Sequence, residues 1–538
     1  MKFKNRPEIW VGAAAFLLRL WFLQCFQGSI FFEPIANGND RALYDRLAQE
    51  IARGRIMPPG VFEYMPLYPW FLGMLYAVAP ANLWFAGFVG TIMDACTAAG
   101  IVFFARRLQV RTPLAVLGGA LYAIYPIAIV YSALTMPNTL NTFLLLCFAW
   151  FVHGLKSSDS PGKWFAVGLF GGVLTLGFAG MLLVTAACLI FWIARGIREP
   201  SSKPVLWIVF LAGVILPILP VSIHNWRAEH HFVLITAHGG FNFYMGNHEN
   251  ATGYPVQIEG FRGDAGSLLF DARQEAQKKL GHPVTSKEFA SYWSGRAWEF
   301  IRQHPWQEAK LLGAKTLKFW NYYDYDDLRL IPMLRLTRTA FNGPFVRTLD
   351  FVWIACWGLV GLIMARRVGV LRWIALAAMA GMIAFFITAR YRLTVAPLLC
   401  VLGASGAESL MISKTRVRDG WIVLLAALTV MLPLRSTDFR ALDHYNTAAY
   451  LLARNEPIPA LKQSHAGLSI REDPSLYFVE GNAWFYLGKD RQAENAFRQA
   501  LRLQPGNRSA HHNLGIVLQR EGRTKEAAEE LRVGASSE

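Results

Sequence analysis

The sequence has a stretch with the residue types that proton transfer requires. Asp40 and Tyr44 stand four residues apart in NDRALYDRLAQEIARG, so a helix over this stretch places both on one face. Glu63 and Tyr64 follow in FEYMPLYP and can line the same space. A carboxylate such as Asp40 either takes a proton from a reacting hydroxyl or caps the backbone N–H groups of a helix, and both interpretations stay open.

A second stretch, ITARYRLTVAP, has the residues for phosphate binding. Arg390 and Arg392 stand at one end of an apolar segment, and Pro397 is expected to prevent a regular helix across this junction. An arginine holds phosphate through its rigid fork of N–H donors, although an arginine at a helix end also anchors that end at a membrane surface. We predict phosphate contacts for Arg390 and Arg392, with surface anchoring as the alternative.

A third stretch has polar residues that suit sugar or phosphate contacts. Asn247 and His248 in GNHENATGY either hydrogen-bond a sugar or build turns. Lys310, Lys315 and Lys318 are expected to lie along one amphipathic helix that rests on the membrane. We predict a phosphate contact for Lys315.

Four acidic residues add further hypotheses. Asp324 is assigned to substrate binding, and together with Asp326 and Asp327 it is interpreted as an exposed acidic loop rather than a cation site. Asp94 lies inside an apolar segment, where a carboxylate is usually paired or faces a cavity. No metal site is predicted.

The composition indicates the setting of these residues. The chain has 538 residues, of which 54% are hydrophobic and only 17% charged, with 53 Lys and Arg against 37 Asp and Glu. Such a composition excludes a disordered chain and favours a polytopic membrane protein. The net charge of +16 is then expected from cytoplasmic loops rich in Lys and Arg, rather than from a nucleic-acid surface.

Apolar segments predict about eleven membrane crossings. They lie near residues 9–28, 83–105, 113–132, 138–155, 205–224, 348–365, 373–389, 394–412 and 420–434, with 164–194 read as two short helices. The basic clusters between segments all fall on one side under this count, which predicts a cytoplasmic N-terminus and an exterior C-terminus. Chemistry is therefore expected in the exterior loops, residues 29–82 and 225–347.

The last hundred residues have a different pattern. Gly481 and Gly515, Gly488 and Gly522, and Ala493 and Ala527 are pairs separated by 34 residues, the period of tetratricopeptide repeats. We predict an all-α protein with a membrane helix bundle at 1–434, exterior amphipathic helices, and a tetratricopeptide α-solenoid at 440–538. The repeats are expected to recruit a protein, or to cap the structure.

In their order along the chain, these motifs resemble the GT-C glycosyltransferase superfamily. The resemblance rests on Asp40 with Tyr44, the FE block, PLYPWFLG, GNHENATG and ARYRLTVAP, and it points to the bacterial protein O-mannosyltransferase and aminoarabinose transferase branch. It implies that Asp40 is the catalytic aspartate and that Tyr44 and Glu63 belong to the site. Relatives have a second acid where this chain has Arg41, and a lysine where it has Tyr64.

We therefore predict a glycosyltransferase of the bacterial inner membrane. It would pass a hexosyl or pentosyl group from a polyprenyl-phosphate-linked donor to an acceptor hydroxyl of a protein, glycan or lipid on the periplasmic face, with inversion. Asp40 would be the general base, and no cofactor would be required. The alternatives are a transporter or flippase, with Asp94 and the arginines along a substrate path, and a membrane-anchored scaffold built on the repeats.

Overall fold

The computed structural model describes residues 6–33, 40–198, 203–255, 258, 261, 265–336, 350–434 and 439–535. All regular structure in these residues is helical, as predicted. The chain forms two compact units. The membrane unit comprises Met1–Gln27, Ala36–Asp327 and Pro344–Leu434, and the repeat unit comprises Gly28–Ile35, Leu328–Gly343 and Arg435–Glu538.

Helices are numbered along the whole chain. The first part of the membrane unit contains α1 (Pro7–Gln27), α2 (Asp40–Ala52), α3 (Leu67–Val78), α4 (Leu83–Arg107), α5 (Thr112–Ala123), α6 (Pro126–Ser132), α7 (Asn138–His153), α8 (Pro161–Gly177), α9 (Met181–Arg198), α10 (Pro204–Glu229), α11 (Gly239–Gly246), α12 (Ala265–Leu280), α13 (Ser286–Gln303) and α14 (Pro305–Trp320). Helix α15 (Leu330–Leu336) belongs to the repeat unit. The membrane unit continues with α16 (Val352–Met364), α17 (Val370–Ile383), α18 (Ala389–Ile412) and α19 (Arg416–Val430).

Every predicted crossing segment contains a helix, and the predicted break within 164–194 falls between α8 and α9. Among the described residues, α1, α4, α10 and α18 are each long and apolar enough to cross a membrane. A fifth span results if α5 and α6, which meet at a 59° bend, are taken together. Further apolar helices, including α7, α16 and α17, are shorter. The exact number of crossings stays a prediction.

Helix α18 is the most buried of these spans. Of its most apolar 18-residue window, 72% is buried, compared with 28% for α1. The helix runs from Ala389 to Ile412 with Pro397 inside it, so the prediction that Pro397 interrupts the helix was wrong. Neighbouring helices and local adjustments can compensate for the missing backbone hydrogen bond of a proline in a membrane helix. Arg390 and Arg392 therefore lie in the first turn of a continuous helix.

The predicted pairing of Asp94 is confirmed. Asp94 on α4 forms an ion pair with Arg19 on α1, and both side chains are fully buried. Tyr122 on α5 also donates a hydrogen bond to Asp94. Arg19 donates in addition to the carbonyl of Ala123 at 2.8 Å. This cluster joins three helices in the interior of the bundle, and the buried charges of Arg19 and Asp94 are paired with each other.

Helix α14 has three buried charged residues. Glu308, Lys315 and Lys318 are buried, and their spacing of seven and three residues places them on one helical face, whereas Lys310 is exposed. Trp306 is 72% exposed on the outward side. The expectation that Lys315 and Lys318 lie at a membrane surface was therefore wrong, because both are buried on the side of the helix that also contains Leu311 and Phe319.

The C-terminal part of the repeat unit consists of three helix pairs, in agreement with the repeat prediction. The pairs are α20 (Arg440–Ala453) with α21 (Pro457–Leu468), α22 (Pro474–Tyr486) with α23 (Asp490–Leu503), and α24 (Arg508–Arg520) with α25 (Thr524–Ala535). A Cβ atom at Gly481 would lie only 2.5 Å from the ring of Phe497, so glycine is required for close packing there. Gly488 has φ +67° in the turn that follows α22.

Two segments distant in sequence complete this unit. Ile30 packs against the apolar core formed by α20 to α22, and the ring of Phe31 contacts that of Tyr450 edge-on at 4.8 Å. Arg329 forms two hydrogen bonds, 2.6 and 2.8 Å long, to the carboxylate of Asp443. The repeat unit is therefore built from three separate parts of the sequence.

Candidate active site

An ion-pair relay centred on Arg390 joins α2 to α18. Arg390 Nη1 lies 2.9 Å from Asp40 Oδ2, although the two residues are 350 positions apart in sequence. The other terminal nitrogen, Nη2, lies 2.7 Å from Asp327 Oδ2. Each end of one guanidinium thus holds one carboxylate. Asp40 is 25% exposed, so this member of the relay is accessible to a substrate.

The backbone around Arg390 is fixed from two sides. The amide of Asn138, at the start of α7, donates to the Arg390 carbonyl at 3.0 Å. The N–H of Ala389 donates to the carbonyl of Tyr325 at 2.7 Å. Thr388 caps α18 by accepting from the N–H of Tyr391. The first turn of α18 therefore has little freedom to move relative to the acidic segment.

Arg392 occupies a different environment from Arg390. It is fully buried, forms an ion pair with Asp324, and donates to the carbonyls of Asn321 and Tyr323 at 2.7 and 2.8 Å. Its guanidinium also stacks over the ring of Phe351 at 4.3 Å. These contacts occupy both of its terminal nitrogens, so Arg392 and Asp324 form a structural tie beside the relay.

Asp326 is buried and Asp324 and Asp327 are mostly buried, so the expectation of an exposed acidic loop was wrong. Besides Arg392, Asp324 accepts from the hydroxyl of Tyr125 at 2.9 Å, and Asp326 accepts from that of Tyr131 at 2.9 Å. Burial raises the pKa of Asp324 above its ordinary value, against the opposing effect of Arg392. Tyr125 lies between α5 and α6, Tyr131 on α6 and Arg392 on α18, and no local sequence pattern predicts that these residues meet.

Aromatic rings cluster near Asp40, at the start of α2. Tyr44 is buried, and its ring meets those of Tyr64 and Tyr68 edge-on at 6.3 and 5.4 Å. Burial, followed by the charge of Asp40, raises the pKa of Tyr44 well above its ordinary value, so its phenol stays protonated. His238 also meets Tyr64 edge-on at 5.2 Å. Aromatic walls of this kind suit the apolar faces of a sugar ring.

Glu63 lies at the edge of this region. Its carboxylate is half exposed and lies 3.5 Å from Arg273. The structure therefore brings Asp40, Tyr44, Tyr64 and Arg390 into one neighbourhood. Glu63 stands next to Tyr64 in the chain and faces Arg273 rather than Asp40.

Lys315, Asn247 and His248 form a second group. Lys315 Nζ donates to Asn247 Oδ1 at 2.6 Å, and Asn247 in turn donates to the carbonyls of Phe243 and Ala384. Burial lowers the pKa of Lys315 to about 8, although nearby Glu308 opposes this shift. His248 stacks on Tyr244 at 5.3 Å. The contacts of this group differ from those of the Arg390 relay.

Two members of the site, Asp327 and Asn138, have no direct signal in the sequence. Asp327 belongs to the stretch predicted to be an exposed acidic loop, and no motif singles out Asn138. No group of three or more His, Cys, Asp or Glu side chains that could hold a metal ion occurs in the part of the chain that the structure describes. The site therefore has carboxylate, guanidinium and aromatic groups as its chemical resources.

Comparison with known proteins gives two family matches. Residues 61–224 match the dolichyl-phosphate-mannose-protein mannosyltransferase family, and residues 474–507 match the tetratricopeptide repeat. The first match includes Glu63, Tyr64 and Asn138 of the site. No curated protein matches the chain.

Two solved structures align with the chain at low similarity. ArnT from Cupriavidus metallidurans bound to undecaprenyl phosphate aligns with TM-score 0.42 and 15% identity, over 94% of this chain and 79% of ArnT. The apo form of ArnT aligns with TM-score 0.37 and 15% identity, over 89% and 75% of the two chains. A polytopic membrane chain thus contains a segment, residues 61–224, that is similar to the dolichyl-phosphate-mannose-protein mannosyltransferases and, towards its C-terminus, tetratricopeptide repeats.

Proposed function

We propose that the protein transfers a sugar from a polyprenyl-phosphate-linked donor to an acceptor hydroxyl, with inversion at the anomeric carbon. The observation that carries this proposal is the accessible ion pair between Asp40 and Arg390, 2.9 Å long. It combines a carboxylate that can accept a proton with a cation that can receive a phosphate. The family match of residues 61–224 supports the reaction class.

In the proposed reaction, Asp40 takes the proton of the acceptor hydroxyl. The acceptor oxygen forms a bond to the anomeric carbon as the bond from that carbon to the phosphate oxygen breaks. The electron pair of the broken bond stays on the polyprenyl phosphate. Because the leaving group is already an anion, it needs electrostatic stabilisation by Arg390 rather than protonation by a general acid.

The donor phosphate and Asp40 compete for the same nitrogen of Arg390. A bound phosphate that accepts from Nη1 releases Asp40 from its ion pair, which leaves the carboxylate able to accept a proton. Donor binding would thus precede activation of the base. In this proposal Arg392 and Asp324 support the α18 turn, and Lys315 remains a candidate for a more distant phosphate contact.

Aromatic residues of the first exterior region would bind the sugar. Tyr44 and Tyr64 supply ring edges and hydroxyl groups near Asp40, and Glu63 would hydrogen-bond a sugar hydroxyl. Asn247 and His248 would contact the donor from the second group. The repeats would recruit a protein acceptor, and the site would face the periplasm of a bacterial inner membrane.

The test is Asp40→Asn in membranes that contain equal amounts of protein. Transfer from a polyprenyl-phosphate-linked sugar should fall by about 10²- to 10⁴-fold, because proton transfer to a positioned base contributes that much. Glu50→Gln, on the same helix, is the matched control and should keep normal transfer. Full activity of Asp40→Asn in this assay would refute the assignment of Asp40 as base.

The structure gives no support to the transporter alternative. Asp94, which that alternative places on a substrate path, is fully buried in its pair with Arg19. A buried ion pair of this kind holds helices together, and its charges are not available to bind a transported solute.

A further inference from the structure

We infer that Asp327 is a positioning residue, which holds one end of Arg390 so that the other end can pass from Asp40 to the donor phosphate. This inference rests on the proposed function. It assigns a role to a carboxylate that neither the sequence motifs nor the family match singles out. The supporting observations are the geometry of the relay, the unequal exposure of its two carboxylates, and the fixed backbone on either side.

The geometry leaves Arg390 one nitrogen to exchange. Its guanidinium is planar and rigid, so fixing Nη2 on Asp327 at 2.7 Å also fixes the direction in which Nη1 points. The Arg390 carbonyl is held by Asn138. The carbonyl of Tyr325, two residues before Asp327, is held by the N–H of Ala389. Both ends of the contact between Asp327 and Arg390 are therefore anchored.

The two carboxylates differ in accessibility. The side chain of Asp40 is 25% exposed and that of Asp327 is 14% exposed. The second oxygen of Asp327, Oδ1, is buried and makes no hydrogen bond to the described residues, and the same is true of Arg390 Nε. A ligand that enters from the exposed side meets Asp40 first. Asp327 is thus placed to retain Arg390 while Asp40 gives it up.

The charge of Asp327 depends on pH near the physiological range. Burial, together with the charges of Asp326 and Asp40, raises its pKa to about 6 against the opposing effect of Arg390. Tyr131, from α6, and Tyr391, from α18, are further titratable groups beside it. Below about pH 6 Asp327 takes up a proton and its pair with Arg390 weakens. His238 does not titrate there, because burial lowers its pKa to about 4.

The experiment measures kcat and KM of the full-length protein from about pH 5 to 8 with a polyprenyl-phosphate-linked sugar. Wild-type kcat should fall as the pH drops through about 6. Asp327→Asn should lower kcat at pH 7.5 by roughly 10- to 100-fold, the equivalent of one lost charge-assisted contact, with a much smaller change in donor KM. It should also lose the break near pH 6. Asp327→Glu, which restores the carboxylate, should recover most of the lost kcat.

Asp326→Asn is the matched control, because Asp326 is the adjacent acid and accepts from Tyr131 rather than Arg390. It should keep the break and move it to lower pH, since removal of a like charge favours the ionised form of Asp327. If Asp327→Asn does not reach the membrane, the other two profiles decide. A wild-type profile that is flat between pH 5 and 7, or an Asp327→Asn profile that keeps the break, overturns the inference.

Asp40→Asn is measured in parallel to separate the two proposals. Normal transfer by Asp40→Asn means that the proposed function has failed. An inactive Asp40→Asn combined with wild-type kcat and pH dependence in Asp327→Asn means that only the role of Asp327 has failed. Loss of transfer in Asp40→Asn, together with the predicted profile of Asp327→Asn, supports both.

Discussion

The most buried ion pair of the membrane unit and the ion pairs on the repeat helix α23 lie in opposite surroundings. The most buried pair of the membrane unit, Arg19 with Asp94, has no solvent exposure. In the repeat unit, Arg498 is 45% exposed and pairs with Glu494 one helical turn away. Burying a charge costs free energy unless an opposite charge pairs with it in good geometry, whereas an exposed ion pair changes the free energy of folding little. Buried pairs such as Arg19 with Asp94 and, in the repeat unit, Arg329 with Asp443 therefore fix positions, whereas the pairs on α23 lie on a solvated face.

The relay at Asp40 lies between these extremes. Arg390 is 13% exposed and Asp40 is 25% exposed, so the pair is shielded from bulk water but open to a ligand. A fully buried pair is closed to substrate, and a fully exposed pair is screened by salt. Intermediate burial is what a site that must bind an anion and move a proton requires. The following four changes test this contrast between the units.

The largest effect is expected for Asp94→Asn. This change leaves Arg19 buried without a counter-charge, which should destabilise the membrane unit by about 3–5 kcal/mol. The measurement is unfolding of the purified protein in detergent. Replacing both partners by apolar residues, Arg19→Met with Asp94→Leu, should recover most of the lost stability. If Asp94→Asn alone is as stable as the wild type, the proposed contrast between buried and exposed ion pairs is refuted.

A smaller loss is expected for Arg392→Lys. The guanidinium of Arg392 serves Asp324 and several backbone carbonyls at once, and one ammonium group cannot reach all of them. We expect destabilisation by about 2–3 kcal/mol from unsatisfied buried acceptors. The control is Arg418→Lys, an arginine of the same unit that is 65% exposed. Equal melting temperatures for the two variants would contradict the structural role of Arg392.

The third change tests packing in the repeat unit. Gly481→Ala places a methyl group 2.5 Å from the buried ring of Phe497, so one of the paired helices must shift. The expected cost is about 1–3 kcal/mol, typical of overpacking. Gly506→Ala, where a Cβ atom would have no neighbour within 4 Å, is the control and should change stability little. Calorimetry of the full-length protein compares the two.

The smallest effect is expected for Arg498→Ala. This residue pairs with Glu494 and Glu526 on the solvated face of α23, where double-mutant cycles typically give about 0.2–1 kcal/mol. The loss of stability relative to the wild type should shrink further as the salt concentration is raised to about 1 M, because exposed charges are screened. A loss as large as that of Asp94→Asn would show that the repeat helices also depend on their ion pairs for position.

Local patterns in the sequence predicted much of this fold. Each predicted apolar segment contains a helix, and the 34-residue period corresponds to a helix pair. The helix that contains Asp40 was expected and is α2. Gly54, just after α2, has φ +94°, a conformation that favours glycine. These features follow from residue type and spacing alone.

Contacts between distant segments could not be predicted in the same way. Asp327 meets Arg390 only because the segment after α14 lies against the first turn of α18, and no local pattern records that approach. The orientation of Lys315 was missed for a related reason. The amphipathic pattern of its helix does not specify which side faces the protein when the surroundings can be lipid.

The discontinuous repeat unit has a consequence for biosynthesis. Its first segment, Gly28–Ile35, is followed by about 400 residues before its last part begins at Arg435. At a synthesis rate of ~5–20 residues per second, that segment waits roughly 20–80 s for its packing partners. The ribosome therefore completes the membrane unit before the helix pairs of the repeat unit exist, and truncation after Leu434 removes the packing partners of Ile30, Phe31 and Arg329.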